Sequence, residues 1–339
     1  MKIVLTKISL EKYDTEKMFK IYDKWPDIAK KAYESNLKKI KFKKMKHIVF
    51  AGMGGSGTIG DFFASILSKT EIHTTIIKGY ILPESVNSNT LVIISSVSGN
   101  TVETLEIIKK AHKKKCKIIA FSSGGKIEVF CKKKNIEFRK ISEYNSPRAS
   151  FVNYVYAMLK VLEDLLPVKE VDVINSIKIL EKTRKNIYSN NLTKTNTSLE
   201  IAQGIKYIPI IYYPWGLQAA AIRFKNSLQE NSKLHAIAED VLESSHNGIV
   251  AWEKKSYIQP LLLIGINDNE KTIERWKIFE KYFSKNKIKY KKIISEKGDI
   301  ITKLINLIYV LDYASIYLSV IRKIDPSPVK SIEFIKRNL

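Results

Sequence analysis

The chain has 339 residues, with 58 Lys and Arg against 34 Asp and Glu, for a formal net charge of +24. That length suggests two domains, each able to bury its own core, and 45% apolar with 10% aromatic residues excludes a disordered chain. With 14 Gly and 9 Pro it is neither collagen-like nor low-complexity, and 2 Cys exclude a disulfide framework or a four-thiolate zinc site.

Residues 1–46, rich in Lys and aromatics, read as an N-terminal helical segment of one or two amphipathic helices, with Pro26 at a helix start. From His47 the pattern changes. HIVFA (47–51) is a short apolar strand, GMGGSG (52–57) a turn, and TIGDFFASILSK (58–69) has helical spacing. Strands follow at HTTIIK (73–78) and TLVIISS (90–96), then an amphipathic helix over 101–115, and strands at KIIAFSS (117–123) and NIEFRKI (135–141). A helix is predicted over 146–167, ended by Pro167, which closes a first domain at 47–167. Residues 168–206 are polar and helical, loosest at 190–198, and form the connection. The second domain, 207–339, repeats the alternation: strand 208–213, helix 215–233, strand 258–266, helix 269–285, strand 289–295 and final helices at 298–322 and 327–338. Short apolar strands alternating with helices imply, in each half, a mainly parallel sheet flanked by helices, an α/β architecture used twice.

The start, MKIVLTKISLEKYD, has only a short apolar stretch soon interrupted by charges, and the apolar run from Leu304 to Ile321 carries Asn306 and Asp312, which a lipid-facing helix tolerates poorly. A helix buried between domains or subunits of a cytoplasmic protein is expected there. Only 7 of the basic residues are Arg, and the Lys are spread along the chain. Nucleic-acid binders concentrate charge on one face and use Arg for bidentate contacts to bases, so solvated helix faces are the expectation and a nucleic-acid partner is not. The basic field would still draw in a small anionic substrate.

GMGGSG joins a strand to a helix. Its glycines let the backbone approach an anion, and the helix N-terminus supplies N–H groups and partial positive charge. It fits neither the Walker pattern nor the dinucleotide fingerprint, and alone it suits a ligand-free tight turn equally well. A second turn, SSVSGNT (95–101), has the same strand-to-helix setting and brings Ser95, Ser96, Ser98 and Thr101. Capping needs one hydroxyl, and four crowd here. Both turns lie at C-terminal ends of parallel strands, where open α/β sheets bind ligands, so a monophosphate held by hydroxyls and amides is the inference.

GMGGSG with Gly60-Asp61, followed by SxSGNTxET (96–104), resembles the sugar isomerase (SIS) domain, a phosphosugar-binding module with a flavodoxin-like, three-layer αβα fold. The resemblance implies phosphate binding by Ser56, Ser96, Ser98 and Thr101, with Gly55 as a backbone contact. Val97 stands where an aromatic is common, a change of packing rather than of phosphate chemistry. In the second half, RFKNSLQENSK (223–233) and ESSHNGIVAW (243–252) resemble the two-domain phosphoglucose/phosphomannose isomerases of archaea and some bacteria. Glu230-Asn231-Ser232-Lys233 and Glu243, His246 and Asn247 match, whereas Leu242 replaces a proline and Ser244 and Ser245 replace the residues before His. The closing DPSPVKSIEFIKRNL (325–339) resembles the family's C-terminus with its catalytic Lys, aligned to Lys336, with Lys330 as the alternative.

The resemblance implies two SIS-type domains and metal-independent, cofactor-free interconversion of glucose-6-phosphate and mannose-6-phosphate with fructose-6-phosphate through a cis-enediol. Such chemistry needs a base on one face of the sugar, assigned to Glu230, since a carboxylate accepts and returns a proton. Ring opening needs a proton donor near neutral pH, assigned to His246 with Lys336 as partner. Arg148, in NSPRAS (145–150), is assigned to hold the enediolate charge, and Arg223 is read as a support of its helix. In relatives this His reaches the site from the other subunit, implying a homodimer with shared sites. A non-catalytic phosphosugar sensor is the competing expectation; such proteins usually carry a helix-turn-helix or partner domain, and residues 1–46 show no convincing one.

Overall fold

A computed structural model describes residues 5–338 and contains two parallel sheets, each embedded among helices. Residues 1–4, the apolar start of the expected N-terminal segment, and residue 339, the end of the expected second domain, lie outside the described residues. In chain order, three short helices α1 (Lys7–Tyr13), α2 (Met18–Asp23) and α3 (Trp25–Tyr33) lead into β1 (His47–Ala51), α4 (Gly54–Leu67), β2 (His73–Ile77) and β3 (Leu91–Ser95). Then come α5 (Val102–Lys113), β4 (Lys117–Ser122), α6 (Gly125–Lys134), β5 (Glu137–Lys140) and α7 (Phe151–Val161). Helices α8 (Glu170–Ile187) and α9 (Thr197–Gly204) precede β6 (Ile208–Tyr213), α10 (Gln218–Ser232), β7 (Ile237–Asp240), α11 (Val241–Ser244) and β8 (Ile258–Ile264). The chain closes with α12 (Glu270–Lys285), β9 (Lys291–Ile294), α13 (Ile300–Ile321) and α14 (Lys330–Arg337). It divides into two compact units, one made of Lys24–Ile179 with Asp299–Thr302, the other of the remaining residues. The N-terminal helices are split between them, α1 and α2 in the latter and α3 in the former.

The first sheet runs β2-β1-β3-β4-β5, all parallel. Its central strands LVIIS and KIIAFS are buried almost throughout, because helices cover both faces and a polar residue on either face would lose its water. The period of two sorts the core. Val49, Val92, Ile94 and Ile118 pack with Ile107, Ile108, Ile127 and Cys131 from α5 and α6 on one face. On the other, Phe50 stacks on Phe63 of α4 at 5.6 Å, and Phe62 meets Phe151 of α7 edge-on at 6.3 Å. This is the three-layer, flavodoxin-like order.

The second sheet runs β7-β6-β8-β9, again all parallel, the same order shortened by one strand. Ile210, Tyr212 and Leu262 pack on Trp276, Phe279 and Phe283 of α12. Among the described residues α13 alone is long and apolar enough to cross a membrane, but 94% of its most apolar window is buried inside the protein, so it is a core helix.

Several expectations change. The N-terminal segment holds three helices rather than one or two, and α4 begins at Gly54, inside the stretch read as a turn. The helix expected over 146–167 begins only at Phe151 and ends at Val161. Pro147 disfavours helix at Ser146, and the Ser150 hydroxyl accepts from Tyr144 N at 2.8 Å, winding the preceding residues into a turn. Helix α6 was not expected, since GKIEVFCKKK buries only Ile127 and Cys131 and its apolar period is faint. Strand β7 was not expected either: it is a four-residue edge strand ending in two carboxylates.

Candidate active site

The two glycine- and hydroxyl-bearing turns follow β1 and β3, which are neighbours in the sheet while the chain runs outward on opposite sides of them. That is the switch point at which open sheets leave a crevice beyond their strand ends. The turns touch: a Cβ on Gly52 would lie 2.9 Å from the Ser95 carbonyl and from the backbone of Ser56, so only glycine fits. Met53, the N-cap of α4, supplies no capping side chain, which leaves the start of that helix to an outside acceptor. Gly55 is partly exposed there, and Ser56 is 6% exposed.

In the second turn Thr101 is the N-cap of α5, yet its side chain makes no capping bond. Instead its hydroxyl shares a 3.1 Å hydrogen bond with Ser96 Oγ, which also accepts from Gly99 N at 3.2 Å. Ser98 Oγ accepts from Asn100 N at 3.3 Å. Of the hydroxyls expected to bind phosphate, those of Ser96 and Thr101 are therefore organised by each other rather than spent on the helix end. Behind them, Ser95 Oγ and Thr104 Oγ1 are buried with no hydrogen-bond partner. Val97 is 2% exposed and its carbonyl accepts from Ser123 N at 3.0 Å and Ser123 Oγ at 2.7 Å, a packing role away from the hydroxyls.

The turn before α6 buttresses the second one. Ile127 N donates to Gly99 O at 3.0 Å and Lys126 N to Asn100 Oδ1 at 3.0 Å. Gly99 has φ +69°, and a Cβ there would stand 1.8 Å from the Gly124 carbonyl oxygen. The GD pair beside the first turn also has a physical reason. Gly60 lets α4 lie on Phe50, its virtual Cβ 3.1 Å away, and Asp61 receives Lys78 Nζ at 2.6 and 2.8 Å. That pairing neutralises a carboxylate near the expected anion site. Arg148 belongs to the same unit, 5% exposed in the turn before α7.

The turn of the second sheet that corresponds to the one after β3 differs. After β8, Asp268 accepts from Gly265 N at 3.0 Å and Asn269 caps α12 through Lys271 N, so the chain's own side chains fill the amides and place a carboxylate where a phosphate would be repelled. Burial pushes the Asp268 carboxyl upward, against a hydrogen bond from Gly265.

The other expected residues lie in the second unit. Glu230 is half-buried in the last turn of α10. Lys233 ends that helix with φ +49° and folds back: its Nζ donates to the carbonyls of Glu230 at 2.7 Å, Asp325 at 3.0 Å and Pro326 at 3.3 Å. The Lys of the E-N-x-K run thus ties the helix end that bears Glu230 to the segment entering α14. His246 is exposed in a turn after α11, where Asp240 Oδ1 caps the helix through Leu242 N and Glu243 N, and Asn247 Nδ2 donates to Glu243 at 2.8 Å. Gly248 lies close to Glu239, whose carboxylate would have to shift to admit a Cβ there and whose carboxyl is raised chiefly by burial. The following stretch Gly248–Glu253 buries none of its residues, and Val250 is 57% exposed. Lys330 and Lys336 sit at the two ends of α14, a helix with no buried residue.

The residues expected to bind phosphate thus belong to one unit, and Glu230, His246 and both lysines to the other. Reading the sequence missed the Lys233 staple and the buried carboxylate of Asp312, which pairs with Arg223 at 2.7 Å. A lone Asp inside an apolar helical run was the available signal, since a buried charge requires a partner. Among the described residues no three His, Cys, Asp or Glu gather as a metal site.

Comparison with known proteins follows the same division. Residues 194–339 match the bacterial phospho-glucose isomerase C-terminal SIS domain, and residues 41–164 match the SIS domain. The chain is 31% identical over 341 residues to the bifunctional phosphoglucose/phosphomannose isomerase of Caldicellulosiruptor bescii, covering 95% of this chain and 98% of that one. It is 30% identical over 321 residues to the protein of the same name from Aquifex aeolicus, covering 93% and 94%. Among solved structures, tagatose-6-phosphate ketose/aldose isomerase from Escherichia coli shares the fold, with a TM-score of 0.63 at 12% identity over 93% of this chain and 90% of that one.

Proposed function

Because the chain belongs to the SIS-domain family that includes the bifunctional phosphoglucose/phosphomannose isomerases, we propose that it interconverts glucose-6-phosphate and mannose-6-phosphate with fructose-6-phosphate. The observation that carries the reading is the second turn: Thr101 occupies an N-cap without capping, and its hydroxyl joins that of Ser96. Hydroxyls so arranged, with Ser56, Ser98 and the amide of Gly55, suit the oxygens of a phosphomonoester.

With the phosphate fixed, the sugar needs three services. His246, with Lys336, protonates the ring oxygen and relieves the C1 hydroxyl, opening the ring. Glu230 then takes the proton from C2 of the aldose and delivers it to C1, while O1 gains a proton and the O2 hydroxyl loses one, or the reverse from the ketose. Arg148 holds the negative charge of the enediolate between those steps. C2 is planar in that intermediate, so both epimers share it and one site serves glucose- and mannose-6-phosphate. No step requires a metal. The exposed turn bearing His246 favours a homodimer in which His246 of the partner subunit completes each site.

Fructose-6-phosphate incubated with the purified protein and a chelator, and followed by proton NMR, should yield both aldose phosphates. Binding of the ketose without either product would instead support a phosphosugar sensor.

A further inference from the structure

We infer that Asp312, with Arg223 clamped upon it, is a positioning residue that fixes the register of α10 and thereby the place of Glu230. This inference rests on the proton-transfer role proposed for Glu230. Asp312 is fully buried on α13 and Arg223 is 2% exposed on α10. One carboxylate gathers donors from two helices. Oδ2 accepts from Arg223 Nη2 at 2.7 Å and Nε at 3.0 Å and from Tyr22 OH of α2 at 3.2 Å, while Oδ1 accepts from Ser227 Oγ at 2.6 Å. The lattice continues toward Glu230. Ser315 Oγ donates to Asp312 O at 2.6 Å and accepts from Asn231 Nδ2 at 2.8 Å, and Ser232 Oγ donates to Ser315 O at 2.7 Å.

Helix geometry shows what this holds. Residues 223, 227 and 231 recur every four positions and bind α13 or its Ser315. Glu230 follows Arg223 by seven residues, so it projects within about 20° of the same direction and roughly 10 Å further along the axis. Anchors thus sit two turns before Glu230 and on both residues after it. Burial opposes the Arg223 charge, but Asp312 foremost, and Glu230 among others, hold the guanidinium even more firmly protonated than usual.

Stability alone does not call for such a lattice. Replacing a buried ion pair by apolar residues of similar volume is often neutral or stabilising. What the pair provides beyond an apolar contact is direction, because the planar fork of Arg meets a carboxylate in a narrow range of geometries.

The test replaces the pair by packing. The double variant Arg223→Met/Asp312→Leu should stay folded, melting somewhat below wild type because the Ser227 and Tyr22 hydroxyls lose this acceptor, with kcat for fructose-6-phosphate lower on the order of 10²-fold, the cost of a misplaced base, and KM nearly unchanged. Arg223→Lys, which keeps the charge without the fork, should fall between the two. Should the double variant fail to fold, Ser227→Ala removes one anchor while sparing the ion pair; it should stay folded with a lowered melting temperature, because Asp312 Oδ1 loses a donor, and lose roughly tenfold in kcat. Wild-type kcat in the folded double variant, or in Ser227→Ala if the double variant does not fold, overturns the inference. Glu230→Gln measured in parallel separates the two readings. If it retains turnover, the base assignment falls and this inference with it; if it is inactive beside a normal double variant, only the positioning role falls.

Discussion

Glu230→Gln should lower kcat for fructose-6-phosphate isomerisation by about 10²–10⁴-fold, the usual contribution of a positioned general base, while binding of the sugar phosphate stays close to wild type. The substitution keeps the shape of the side chain and its helix propensity. It removes the capacity to accept a proton and, with it, the negative charge that is one of several holding Arg223 protonated. The hydroxyls proposed to bind the phosphate belong to the other unit, so the affinity they would confer should not depend on this carboxylate. Calorimetric titration alongside turnover separates the two quantities. Near-normal turnover would show that the base lies elsewhere.

The second large effect is expected from one methyl group. In Gly99→Ala the new Cβ would lie 1.8 Å from the Gly124 carbonyl oxygen, a backbone atom that cannot swing aside, at a φ of +69° that alanine disfavours. Left-handed strain and overpacking together predict a loss of about 2–5 kcal/mol in unfolding free energy. Affinity for fructose-6-phosphate should fall with it, because Ser96 and Ser98 ride on the same turn. Gly54→Ala is the matched control: its φ is +53°, but no heavy atom lies within 4 Å of the added Cβ. That variant should show only the backbone strain, about 1–2 kcal/mol. Chemical unfolding and ligand titration of both variants check the comparison, and equal effects at the two positions would contradict the backbone-contact account.

Much of the architecture is written locally in the chain. HIVFA and LVIIS are apolar without interruption because parallel strands are covered on both faces, and each is followed by a turn whose glycines and hydroxyls mark a helix start. The two strand-to-helix turns proposed to hold phosphate could be read as turns for the same reason, since all their parts lie within a few residues. Helix α6 and strand β7 were not, because a Lys-rich surface helix and a short edge strand carry little hydrophobic period. The start of α7 was set by Pro147 and by a Ser150 bond to a residue six positions back, which helical periodicity does not register. The partners in longer-range polar contacts were hidden, even where a lone charge such as Asp312 in an apolar run signalled that one was needed. Arg223 and Asp312 stand 89 residues apart, and Lys233 reaches Asp325 across 92; a sequence presents each as an ordinary charge on a helix.

A crystal structure with a hydroxamate mimic of the enediolate bound tests the central claim most directly. The phosphate should lie within hydrogen-bonding distance of Ser56, Ser96, Ser98 and Thr101, with a Glu230 carboxylate oxygen about 3 Å from the atoms standing for C1 and C2. A phosphate seated in those turns with Glu230 out of reach of the mimic, or a mimic bound away from the turns, would contradict it.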